Sequence, residues 1–176
     1  MFVEWLRNNV YASVVLLFAR LYLGWEWLSS GWGKITGEGF SAAKFLEKAV
    51  TTPVVSKEEI IYPTYTAFLK NFALPNVDLF NSLIPYGEFL VGLGLILGAL
   101  TTAAGFFGMV MNFAFLFAGT VSVNPWLILF TVFIMVAGRN AGYFGLDRFL
   151  YPYYDRIFRR TPPKAPTNHD AGRRIA

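Results

Sequence analysis

No cysteine occurs among the 176 residues, which excludes disulfides, iron–sulfur clusters, thiolate metal sites and covalent thiol or persulfide chemistry on this chain. Histidine is nearly as scarce: the single His169 stands in a polar stretch with Pro162, Pro163 and Pro166. No apolar stretch offers an imidazole to haem or copper, so no haem and no metal is expected. Electrons passing through this protein would have to be held by a bound organic carrier or by another subunit. Charge is thin too, at 15% of residues against about 25% in soluble domains.

Apolar residues are what the chain has in excess, 55% hydrophobic and 18% aromatic. Most of its length falls into apolar stretches of about 20 residues, enough to cross about 30 Å of hydrocarbon at 1.5 Å rise per residue. These features predict an all-α membrane protein, a four-helix transmembrane bundle forming one domain over residues 1–160. Spans are expected at about 10–32, 83–100, 103–120 and 125–145, with the first read as an uncleaved span because no small-residue cleavage motif follows it. The Thr101-Thr102 turn between the second and third forces an antiparallel pair, and Asn124-Pro125-Trp126 opens the fourth. Gly94 and Gly98 have the small-xxx-small spacing of close helix contacts, a weak signal among 16 glycines.

Between the first two spans, amphipathic helices are expected in the first extracytoplasmic loop, over 40–50 and 64–73. A capping box at Ser56-Lys57-Glu58-Glu59 predicts a further helix start. After the last span, residues 146–160 mix aromatics with Asp147, Arg148, Arg156, Arg159 and Arg160, the composition of a helix lying on a membrane surface. A flexible cytoplasmic tail is expected over 161–176. Eight of the fifteen basic residues fall at or after Arg139. That bias reads as a topology signal and argues against nucleic acid: both termini are expected on the cytoplasmic side of the cell membrane.

Against this background the charges inside the apolar stretches, Arg20, Glu26 and Glu88, are the functional signal, since an ionisable group at bilayer depth costs roughly 2.5–3.5 kcal/mol. At about 100° per residue, Arg20, Gly24, Trp27, Gly31 and Lys34 share one stripe of the first span. A cation, two glycines, an indole and a second cation suit a flat or anionic ligand, with arginine supplying a planar fork and Trp27 a stacking face. Glu88 is the expected partner of Arg20. The alternative is that Arg20 and Glu88 merely hold the bundle together. Glu26, about 120° from Arg20, is expected to face another neighbour, most simply as an interfacial glutamate. Asn112 is the remaining deep polar side chain, able to bond a ligand carbonyl or a neighbouring helix. Arg139 and Asn140 fall near the cytoplasmic end, where an arginine can snorkel.

The order of Arg20-x3-Gly24 with Gly31-x2-Lys34, Glu88 before the Gly92–Gly98 run, Asn124-Pro125, and Asn140-Ala141-Gly142-Tyr143-Phe144-Gly145-Leu146-Asp147 resembles the DoxX family. It is most similar to the DoxD-like members described as the large subunit of thiosulfate:quinone oxidoreductase. The resemblance covers most of the chain. It implies a four-helix membrane bundle, electron transfer from thiosulfate or another sulfur compound to the quinone pool, a non-covalently bound quinone and a second oxidoreductase subunit.

Two functions are then expected to compete. In the first, the chain is a quinone-interacting subunit in which Arg20, Gly24, Trp27, Gly31, Lys34 and Asn112 bind the ligand. Glu88 would act as catalytic acid, or as an orienter of Arg20 if the two are paired. In the second, it is a non-enzymatic membrane scaffold or binding subunit of a redox or stress-response complex, able to form a homo-oligomer. Solute transport fits less well, since four short spans lack an obvious repeat or broken helix.

Overall fold

The computed structural model describes residues 1–37 and 40–158; the expected tail and His169 lie outside the described residues. A short helix α1, Phe2–Asn8, ends at Asn9, whose extended backbone breaks the chain's course. The Asn9 side chain accepts from the Tyr11 and Ala12 amides at 2.8 and 3.3 Å, capping the long α2, Val10–Thr36. At 27 residues, α2 is about 40 Å long and runs a turn past the expected end at 32.

The connecting segment departs most from expectation. Helix α3, Ala42–Thr51, is capped by Ser41, but no helix starts at Ser56. Val55–Ser56 (β1) and Glu59–Ile60 (β2) instead pair antiparallel, with Lys57 and Glu58 both left-handed at φ 50° and 70°. The capping-box letters are present, but β-branched Val54, Val55, Ile60 and Ile61 on either side favour a hairpin, and its two-residue turn needs positive φ at both central positions. Helix α4, Pro63–Phe68, continues into a π turn at Leu69–Ala73.

Helix α5, Val77–Leu97, begins six residues before the expected 83. Asp78 lies in its first turn, where a carboxylate suits the helix N-terminus, and Val77 and Phe80 pack on the buried faces of α3 and the π turn. α5 ends at Gly98, left-handed at φ 62°. Helices α6, Thr101–Phe117, and α7, Asn124–Ala137, follow. A 3-10 turn, Gly138–Gly142, and the amphipathic α8, Asp147–Phe158, finish the described chain. Arg139 does not simply snorkel; it forms a two-point ion pair with Asp155 of α8, at 2.5 and 3.1 Å.

Helix α2 packs chiefly on α5, α5 on α6, α6 on α7, and α7 back on α2, closing a four-helix ring. The tightest contact, α2 against α5, is glycine-made. A Cβ on Gly31 would overlap the Phe89 backbone, one on Gly92 would overlap Leu28, and one on Gly24 would meet Ile96. Gly94 instead approaches Ala104 of α6, so the expected small-residue spacing serves two neighbours.

The ring encloses an apolar core with a few polar groups set in it, and its outer surface is apolar as well. Arg20, Glu88, Asn112 and Thr131 are buried, while Phe18, Trp25, Leu90, Phe107, Val110 and Leu129 are exposed. Among the described residues two helices, Val77–Leu97 and Asn124–Gly142, are long and apolar enough to cross a membrane. Only 28% and 39% of their apolar windows are buried, whereas the core helix of a soluble protein hides most of its surface. One end of the bundle carries α1 and the 3-10 turn: Asn140 Nδ2 donates to the Leu6 and Asn9 carbonyls at 2.7 and 3.0 Å. The other carries α3, the hairpin and α4.

Candidate functional site

All members of the expected α2 stripe face inward: Arg20, Gly24, Trp27 and Gly31 are buried and Lys34 is partly so. They do not form one site. Gly24 and Gly31 are filled by α5 itself, so the close approach they permit is that of a helix and not of a ligand.

Arg20 and Glu88 are not partners. Because α2 and α5 run antiparallel, Gly31 lies beside Phe89, Gly24 beside Ile96 and Arg20 beside Gly98. Ten residues of α5, about 15 Å, separate Gly98 from Glu88. The Arg20 guanidinium, 1% exposed, donates to the Ala141 and Phe144 carbonyls at 3.2 and 3.0 Å. Gly98 and Gly145 leave it room: a Cβ at either would press on its Nη1.

Beside it sits Asp147, also 1% exposed, whose carboxylate accepts from the Leu100 and Thr101 amides at 2.7 and 2.9 Å and so satisfies the first turn of α6. The Leu146 and Asp147 amides close the end of α5 on the Leu97 and Gly98 carbonyls. Sequence reasoning assigned Asp147 to a surface helix and missed this role; its place at the end of the Asn140–Asp147 motif was the available signal. These bonds tie α2, α5, α6 and the segment after α7 together at this end of the bundle, while Arg20 Nε has no partner within the chain.

Glu88 belongs to a different centre at the opposite end. Its Oε2 accepts from Lys34 Nζ at 2.5 Å and Ser30 Oγ at 2.9 Å, and Lys34 also donates to Ser30 Oγ at 2.7 Å. The carboxylate is buried and the lysine about a quarter exposed, so the pair runs from the interior toward the surface. Both line a cavity of about 310 Å³ among α2, α5, α6 and α7. Its walls include Trp27, Phe40, Phe45 and Phe115, and its remaining polar groups are Glu26, Thr120, Ser122 and Asn124. Trp27 and Phe115 lie 6.5 Å apart between ring centres.

Glu26, expected to be interfacial, is half-buried and lines this cavity. The signal was a second helical stripe, Glu26, Ser30 and Lys34 at intervals of four. Asn112 does not line the cavity. It is fully buried on α6, one turn from Gly108, against which the Trp27 indole packs. Both Asn112 amide atoms and Trp27 Nε1 lack a hydrogen-bond partner within the chain, although most buried polar groups have one.

Apolar helices with exposed apolar faces, packed around a core that holds a few buried charges, define an all-α membrane protein. The chain matches the DoxX family over residues 15–121, and it belongs to that family. No curated protein and no solved structure matches it.

Proposed function

We propose that this DoxX protein is a quinone-interacting subunit of a membrane oxidoreductase, and that its quinone site is the cavity holding Glu88, Lys34, Ser30 and Glu26. The observation that carries this is the joining of two carboxylates and an ammonium to aromatic walls in one space. Aromatic walls stack on a planar ring, and the polar groups meet its carbonyl oxygens. The association of the DoxX family with quinone-linked oxidoreductases supports the same reading.

Reducing a quinone takes up electrons and protons in equal number. Lys34 faces outward and Glu88 inward, so a proton entering at Lys34 passes through Ser30 or directly to the Glu88 carboxylate. Glu88 is then a proton relay, and no longer the orienter of Arg20. The ligand set becomes Glu88, Lys34, Ser30, Glu26 and Trp27. Gly24 and Gly31 serve helix packing, and Asn112 holds spare hydrogen-bonding capacity behind Trp27.

The finer arrangement belongs to the same proposal. α2, α5, α6 and α7 each cross the membrane, both ends of the chain lie in the cytoplasm by the basic bias of the C-terminal third, and the cavity opens toward the outer side. A sulfur compound such as thiosulfate supplies electrons through a second subunit, as in DoxD-like relatives.

The test is to purify the full chain in detergent, titrate a short-chain quinone against Trp fluorescence, and repeat with Glu88→Gln and Arg20→Met. Saturable quenching weakened by Glu88→Gln supports the site. Quenching that is absent, or unaffected by Glu88→Gln, refutes it.

A further inference from the structure

A second concavity adjoins the cavity and shares three of its walls, Phe45, Ile84 and Phe115. It is an almost wholly apolar groove of about 770 Å³ between α5 and α6, roofed at the cavity end by α3 and α4. Small residues are among its lining: glycine at 87 and 94 on α5 and alanine at 103 on α6. From Phe115 to Ala103 it follows twelve residues of α6, about 18 Å. Its outer rim, including Leu90 and Phe107, is exposed on the apolar face of the bundle.

A polar, charged chamber adjoining a long apolar groove across a shared wall has the form of a site for a molecule with a polar head and one extended hydrocarbon tail. We infer that the groove holds the hydrocarbon tail of the ligand whose head occupies the Glu88 cavity, laid along α6 with its far end near Ala103. This rests on the proposed head-group site, since the shared Phe45–Ile84–Phe115 wall is what ties the groove to one occupant. The alternative occupant is bulk lipid, which would sit there without regard to any head in the cavity.

The roof is clamped in place. Tyr65 of α4 donates its hydroxyl to the Ala114 carbonyl of α6 at 2.9 Å, exactly one residue from Phe115 in sequence. A tail in the groove therefore passes beneath α4, and entry from the bilayer is by way of the open rim at Leu90 and Phe107.

The test uses the full chain in lipid nanodiscs with a quinone probe bearing a long alkyl tail and a diazirine at the tail's far end. The expected result is photolabelling concentrated at residues around Ala103 and Phe107, at least tenfold above that from the same alkyl diazirine without a head. Ala103→Phe should displace it while leaving the melting temperature and short-chain quinone quenching unchanged. If Ala103→Phe unfolds the protein, Leu90→Phe at the exposed rim replaces it, with the same expectation. Labelling equal to that of the headless chain, or scattered over the outer faces, overturns the inference. Competition by a tailless quinone reports separately on the head: labelling at Ala103 that it fails to reduce refutes the quinone reading while the tail groove stands.

Discussion

At the Arg20 end of the bundle the charged groups are engaged by the chain's own backbone, whereas at the Glu88 end they face a cavity. Arg20 and Asp147 between them hold two carbonyls and two amides at the junction of α5, α6 and the segment after α7. Glu88, Lys34 and Ser30 bond one another and leave Glu26, Asn124 and aromatic side chains around an open volume. Both centres place charge at depth in an apolar protein. Burial of charge alone therefore does not mark a site; what marks one is charge beside unfilled space.

The largest contrast is expected from Arg20→Met. It leaves the Ala141 and Phe144 carbonyls without their donor, and should destabilise the fold by about 1–3 kcal/mol for each buried acceptor left unpaired. The readout is a melting curve in detergent. A stable Arg20→Met protein that has lost only quinone binding would return Arg20 to the site.

Glu88→Gln should do the reverse. Its side chain keeps its shape, so the melting temperature should hold, while quinone turnover falls by about 100-fold, or roughly 2.7 kcal/mol, the scale of a lost proton-transfer group. Unchanged turnover with a large fall in melting temperature would make the Glu88 centre structural as well.

Asp147→Asn should cost about 1–2 kcal/mol of stability, the scale of a lost helix N-cap, with little change in ligand affinity. Asparagine retains one acceptor for the α6 amides but no charge opposite Arg20. Thermal melts alongside quinone titrations check both halves.

The smallest effect concerns the roof over the cavity end. Burial pushes the Tyr65 phenol up to about 12. Because its folded value lies above the ordinary 10, its contribution to stability is complete below about pH 10 and is lost as pH rises through 12. Tyr65→Phe should lower stability by about 1 kcal/mol near neutral pH. It should also remove one tyrosinate transition from the absorbance titration between pH 10 and 12. The Tyr151 phenol, also pushed up to about 12, remains as an internal reference.

Much of the helical framework was legible because helices show their period directly. The stripe Arg20, Gly24, Trp27, Gly31 and Lys34 faces inward as its spacing required, whereas α5 stops at the left-handed Gly98, short of the expected 100. The hairpin at 55–60 was not legible: the capping-box letters and the β-branched flanks made opposite local demands, and the paired strands won. Nor was the start of α5, where Asp78, Asn81 and Ser82 break the apolar run until Val77 and Phe80 are seen to pack against α3 and the π turn.

Partner choice was the other failure. The long Arg20 side chain, reaching outward, invited pairing with Glu88, but the antiparallel register of α2 and α5 sets them about 15 Å apart along α5. Glu26 was set aside by its rotation from Arg20, a criterion that assumed a single polar face.

By itself the sequence determined the apolar, helical, cysteine-free character of the protein, its DoxX signature and which residues of each helix turn inward, because these follow from composition and a fixed period. Tertiary structure alone decided what those residues touch. The glycine contacts between α2 and α5 set the register, the register set which charges meet, and the gap left between helices made one polar centre a joint and the other a chamber.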